Sequence, residues 1–170
     1  DAAECKPKPG DMRERSGRRR ARQHRVVHDL GVNERDAAYD DGEADWVHMN
    51  VIRTKLLGFT FNQVDQIYDT NGGTAAMVTT AVNYGRSVMN YCGHGSETAW
   101  STTGFSNTHV NALVNDNKLP FIVSVACNNG EFQSGTCFAE AWLRATNGAE
   151  PAGAVGFYGR VARHPARRHR

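Results

Sequence analysis

Apolar residues along this chain follow two rhythms: short runs, several of them broken by polar residues, and stripes spaced three and four apart. The runs VDQIYD (64–69), SVMNYC (87–92), PFIVSVA (120–126) and GAVGFY (153–158) read as strands. Residues 26–32, opened by Val26 and Val27, form one further strand candidate. PFIVSVA is continuous and rich in β-branched residues, which predicts a strand covered on both faces. The stripes lie between the runs. Trp46, Met49, Ile52 and Leu56 predict one apolar face on a helix running from near Gly42 to Gly58. Thr74 is placed to cap a helix that reaches about Asn83, with Ala75, Val78 and Val82 inward. A short helix is expected over 108–115. A longer one is expected over 136–146, with Phe138, Ala141, Trp142 and Ala145 on one face. Strands that alternate with helices imply βαβ units, so the fold class is α/β with a mostly parallel sheet.

Charge divides the chain further. Residues 1–30 hold nine Lys+Arg and residues 159–170 five more, whereas 31–158 hold six against thirteen Asp+Glu, a net charge of −7. The expected organisation is a basic arm (1–25), a core (26–158) and a basic tail (159–170). No aromatic residue is interleaved with the N-terminal arginines, and the core is acidic, so nucleic acid is not an expected partner. No apolar run approaches the roughly 20 residues of a membrane span. The N-terminus has no apolar segment of the signal-peptide kind. Four cysteines in 170 residues do not make a disulfide scaffold. Sequence alone neither supports nor dismisses a Cys92–Cys137 bridge.

Two residues carry candidate chemistry. His94 lies in a Gly-His-Gly turn after one expected strand, and Cys127 ends another, 33 positions on. Neighbouring parallel strands would deliver both to the carboxyl edge of the sheet, where open α/β sheets hold their sites. A thiol and an imidazole meeting there could perform nucleophilic catalysis on an acyl group, with His94 protonating the leaving amine. The backbone N–H groups of Gly95 and Cys127 could form a two-donor oxyanion hole.

The segments GHGSETAW (93–100), FSNTHVNALVNDNKLPFIVSVACNNGEF (105–132) and CFAEAWLRA (137–145) closely resemble the catalytic domain of the gingipains, secreted cysteine peptidases with a caspase-like fold. The likeness runs from about Asp41 to about Phe157. It implies a caspase-like three-layer sandwich, partial in this chain, and a cysteine endopeptidase that cleaves proteins or peptides after basic residues, Arg favoured over Lys. It also implies a secreted or cell-surface location, no catalytic cofactor, and calcium as a structural ion. By that resemblance Cys127 is the nucleophile, His94 the general acid/base and Gly95 an oxyanion donor. Glu34, nine positions before Glu43, is the carboxylate that orients the histidine. Asp45 in GEAD matches the acid that binds an arginine side chain, and Gly93 joins it in substrate binding. Trp100 reads as packing, Glu97 as a solvated acid, and Glu140 as a calcium-ligand candidate. Beyond GFYG the likeness stops: the family continues with residues that wall the specificity pocket, whereas this chain continues RVARHPARRHR. The alternative expectation is therefore an inactive remnant of such a peptidase.

Overall fold

The structure is a computed structural model that describes residues 25–30 (backbone), 45–133 and 135–161. Five strands form one sheet in the order β2-β1-β3-β6-β9: β1 (Arg25–Leu30), β2 (Gln63–Tyr68), β3 (Val88–Cys92), β6 (Phe121–Val125) and β9 (Gly156–Gly159). Every pairing in it is parallel. Two small antiparallel hairpins stand apart, β4 (Ala99–Trp100) with β5 (Phe105–Ser106) and β7 (Thr146–Asn147) with β8 (Glu150–Pro151).

The helices are α1 (Asp45–Leu57), α2 (Ala75–Tyr84), α3 (Asn107–Val110) and α4 (Phe138–Arg144). α2 forms where the sequence predicts it. Thr74, in an extended conformation, accepts from the Met77 N–H, and Gly85 closes the helix in the left-handed region. Its buried residues Val78, Ala81 and Val82 face Ile67, Met89 and Tyr91 of the sheet. α4 packs on the same side through Phe138, Ala141 and Trp142.

At the middle of that layer Trp100 stacks on Tyr91 at 4.6 Å between ring centroids and meets Phe138 edge-on at 5.1 Å. Burying one such ring system removes about 150–250 Å² from water, worth about 4–6 kcal/mol at about 25 cal/mol per Å². Trp100 is thus a core residue, as its sequence context suggests.

α1 lies on the opposite face, which makes three layers. Met49 packs with Tyr68 and Cys92. Asn50 meets Gln66 and Tyr68, and Arg53, one turn later, reaches the Val64 carbonyl. α1 therefore runs antiparallel to β2, and its first residue, Asp45, lies toward the carboxyl edge of the sheet.

Several expectations change. The α1 stripe is only partly inward: Met49 is buried and Leu56 half-buried, but Trp46 and Ile52 are exposed. α1 lies over β1 and β2 and reaches β3 through Met49, rather than lying over β6. Consequently β6 alternates, with Ile122 and Ser124 buried and Phe121 and Val125 exposed, rather than being covered on both faces. The helix expected over 108–115 is a single turn, Asn107–Val110. Asn115 instead turns its amide inward, accepting from the Gly153 N–H and donating to the Gly153 and Lys118 carbonyls. The helix expected to reach Thr146 ends at Arg144, because residues 146–151 form a hairpin. Cys92 and Cys137 form no bridge: Cys92 packs under α1, whereas Cys137 opens α4 on the other face.

Candidate active site

β3 and β6 are adjacent, parallel and in register, with Cys92 opposite Val125. The chain leaves both at the same level. The Gly93 N–H donates to the Val125 carbonyl at 3.1 Å, so the two exit loops begin side by side. His94 and Cys127 are both exposed on these loops. Asn128 takes a left-handed backbone (φ 59°), as Asn does more readily than most residues. That turn leaves the Cys127 side chain outward and carries Asn129 back into the core, where it is fully buried.

The His94 loop is fixed along its whole length. Its carbonyl accepts from the Tyr91 hydroxyl and the Ser101 N–H, and the Ser96 N–H donates to the Ala99 carbonyl. This pairing brings Gly95 opposite Trp100 yet uses only its neighbours, leaving the Gly95 N–H out of the ladder. A Cβ at Gly95 would lie 2.9 Å from the Cys127 carbonyl oxygen, which shows how closely the two loops approach. Sequence reasoning passed over the side chains that lock them. The Trp100 indole donates to Ser124 Oγ (2.9 Å), and that hydroxyl donates to Asn129 Oδ1 (2.8 Å). Asn129 Nδ2 donates to the Ser96 and Ala99 carbonyls. The available signal was Ser124, a hydroxyl at an inward position of an apolar strand.

A cavity of about 370 Å³ opens beside the thiol, walled by Gly93, Ala126, Cys127, Tyr158, Gly159 and Arg160. Gly93 and Cys127 thus share a cavity. Neither His94 nor Asp45 contributes to its wall. Asp45 is half-buried in the first turn of α1. Glu34 lies outside the described residues, as does nearly all of the basic arm and tail. Glu97 is exposed, and its carbonyl accepts from the Phe138 N–H. Glu140 is occupied in a capping box, where Oε2 accepts from the Cys137 N–H at 2.9 Å. Among the described residues no group of three or more His, Cys, Asp or Glu side chains is placed to hold a metal ion. No helix among them is long and apolar enough to cross a membrane.

A parallel three-layer α/β domain with a thiol and an imidazole on adjacent strand exits is the architecture of a caspase-like cysteine hydrolase. Comparison with known proteins agrees. The model of peptidase family C25 matches residues 15–168, and the chain belongs to that family. Gingipain R2 of Porphyromonas gingivalis is 48% identical over 117 residues, 68% of this chain and 16% of the relative. Gingipain R1 of the same species is also 48% identical over 117 residues, 12% of its length. The crystal structure of the Arg-specific cysteine proteinase gingipain R (RgpB) superposes with a TM-score of 0.71 at 41% identity, covering 79% of this chain and 31% of that one. The complex of the RgpB pro- and mature domains gives the same TM-score at 39% identity. The chain spans less than a third of each of these relatives.

Proposed function

We propose that this chain carries the chemical centre of a secreted or cell-surface cysteine endopeptidase that cleaves proteins or peptides after basic residues, Arg in preference to Lys. The observation that carries this reading is the close approach of the His94 and Cys127 loops at the ends of two paired parallel strands. In this mechanism Cys127 passes its thiol proton to His94, and its sulfur attacks the scissile carbonyl carbon. The carbonyl electron pair moves to oxygen, and the Gly95 and Cys127 N–H groups stabilise that oxyanion. The C–N bond then breaks, and His94 transfers a proton to the departing amine. A thioester remains. Water, deprotonated by His94, attacks it and releases the acid and the thiol. Glu34 orients the imidazole, and Asp45 with Gly93 receives the basic side chain, a carboxylate and a guanidinium being matched for bidentate pairing.

One observation favours a second reading, a chain that keeps the centre but not its selectivity. Arg160 walls the cavity beside Cys127 and Asp45 does not. Labelling the folded protein with an Arg-containing acyloxymethyl ketone, beside its Lys counterpart, separates the two. A single adduct on Cys127, formed faster with Arg and absent in Cys127→Ala, is expected. An adduct on Cys127 formed no faster with Arg than with Lys establishes the second reading, and no adduct in a protein with intact circular dichroism overturns both.

A further inference from the structure

Resting on that reading, we propose that Asn129 is a positioning residue: its buried amide sets the His94 loop against Cys127. Asn129 is two residues from the thiol and fully buried. Each hydrogen-bonding edge of its amide is used. Nδ2 donates to the Ser96 carbonyl at 2.6 Å and to the Ala99 carbonyl at 3.2 Å. Oδ1 accepts from Ser124 Oγ at 2.8 Å. The orientation is set by the partners, since a flipped amide would place its oxygen against two carbonyl oxygens. Both Nδ2 partners lie in the loop after His94, and Ser124 lies in β6, which delivers Cys127. The backbone of Asn129 also accepts from the Ala139 N–H at the start of α4.

One amide therefore spans the His94 loop, β6 and the Cys127 turn. It does so from beneath, touching no position a substrate would occupy. Nδ2 also lies 2.9 Å from where a Gly95 Cβ would stand, so it forms part of the floor beneath Gly95. Loss of the two donors would leave the Ser96 and Ala99 carbonyls without this tie and let the loop lift away from the thiol. A displacement of about 1 Å at such a site is enough to cost about 100-fold in rate.

The test uses the full chain and four variants: His94→Ala, Asn129→Ala, Ser124→Ala and Asn115→Ala. Asn115 serves as control, being equally buried and bonded to Gly153 and Lys118, away from the site. Two quantities are read: iodoacetamide modification of Cys127, tracked by mass spectrometry, and hydrolysis of an Arg-peptide amide. Asn129→Ala is expected to slow modification to within about threefold of His94→Ala, and to lower kcat about 10–100-fold with KM within threefold. Asn115→Ala should lose stability but keep both rates. Should wild type and His94→Ala modify equally, the Cys–His reading fails and this proposal with it. If they differ while folded Asn129→Ala matches wild type, only the positioning role is overturned. Equal rate losses in Asn129→Ala and Asn115→Ala would also overturn it, by reducing the effect to general destabilisation. If Asn129→Ala does not fold, Ser124→Ala, which releases Oδ1 but keeps the amide, is judged by the same criteria.

Discussion

Gly95→Ala tests the contact between the two loops most directly. The added methyl would meet three atoms: Ala126 Cβ at 2.8 Å, Asn129 Nδ2 at 2.9 Å and the Cys127 carbonyl oxygen at 2.9 Å. Ordinary contact begins near 3.4 Å, so each must give by about half an ångström. None of them is the far end of a flexible side chain. Ala126 is buried at the end of β6, Asn129 is bonded on every edge, and the third atom is backbone. The His94 loop must therefore lift as a body. Gly95 is not among the glycines with a left-handed backbone, so the cost is one of space alone. Overpacking of this kind costs about 1–3 kcal/mol. A lift of roughly 0.5–1 Å between imidazole and thiol would lower turnover by up to about 100-fold. Urea unfolding supplies the first figure, as a fall in the midpoint at constant slope. Hydrolysis of an Arg-peptide amide supplies the second. A variant within about 0.5 kcal/mol of wild type that retains full turnover would refute the close approach on which the site is built.

Two further perturbations probe the scaffold. Asp65 pairs with the buried Arg86 at 2.6 Å, and Asp65→Ala should cost about 3 kcal/mol, because it strands a guanidinium whose Nη1 has no hydrogen-bond partner among the described residues. The double variant Asp65→Ala/Arg86→Met should cost clearly less than the sum of the single changes, which a double-mutant cycle measures; strict additivity would dismiss the coupling. Burial raises the pKa of Tyr68 above the ordinary tyrosine value, outweighing the opposing influences of Gln66 and Arg53. In this group the folded state holds its proton longer than the unfolded chain. Its contribution is thus complete below the unfolded pKa near 10 and is lost as pH climbs from there toward the folded value. Tyr68→Phe should flatten the fall in thermal stability above about pH 10, and an unchanged profile would count against the shift.

Elements that carry their own local signal were legible in the sequence. α2 has a capping Thr, a spaced apolar face and a closing Gly, and β3 and β6 are short runs in which a single polar residue interrupts the apolar ones. What could not be read depended on distant partners. The helix expected over 108–115 gave way because Asn115 answers to Gly153, 38 residues away. Among the described residues the outer face of β6 is left exposed at Phe121 and Val125 because α1 lies across β1 and β2, a choice of docking position that periodicity does not encode. His94, Cys127, Gly93 and Gly95 could be picked out because a Gly-His-Gly turn and a strand-ending Cys are local patterns. Ser124 and Asn129 could not, since their significance lies in hydrogen bonds across 5 to 33 positions.

The same distinction separates the chemistry of this site from its selectivity. The imidazole and thiol leave two interior strands, over a core that holds Trp100, Phe138 and Trp142 fully buried. Their geometry is set by contacts within residues 89–142. The cavity wall comes from the margin of the sheet instead. β9 brings Tyr158, Gly159 and Arg160 to the thiol, and the Gly130 N–H fastens the Arg160 carbonyl at 3.0 Å. In the proposed function the basic side chain is received by Asp45, in the first turn of α1 and outside that core. Within the proposed function, changes to the margin should therefore alter which residue is cleaved after, with little effect on modification of Cys127 by a small reagent. Arg160→Ser makes the point testable: removing a cation from the wall should improve kcat/KM for Arg substrates relative to neutral ones and leave iodoacetamide modification unchanged. Equal change in both rates would mean that wall and centre are one unit, and that the core alone does not fix the geometry of the thiol.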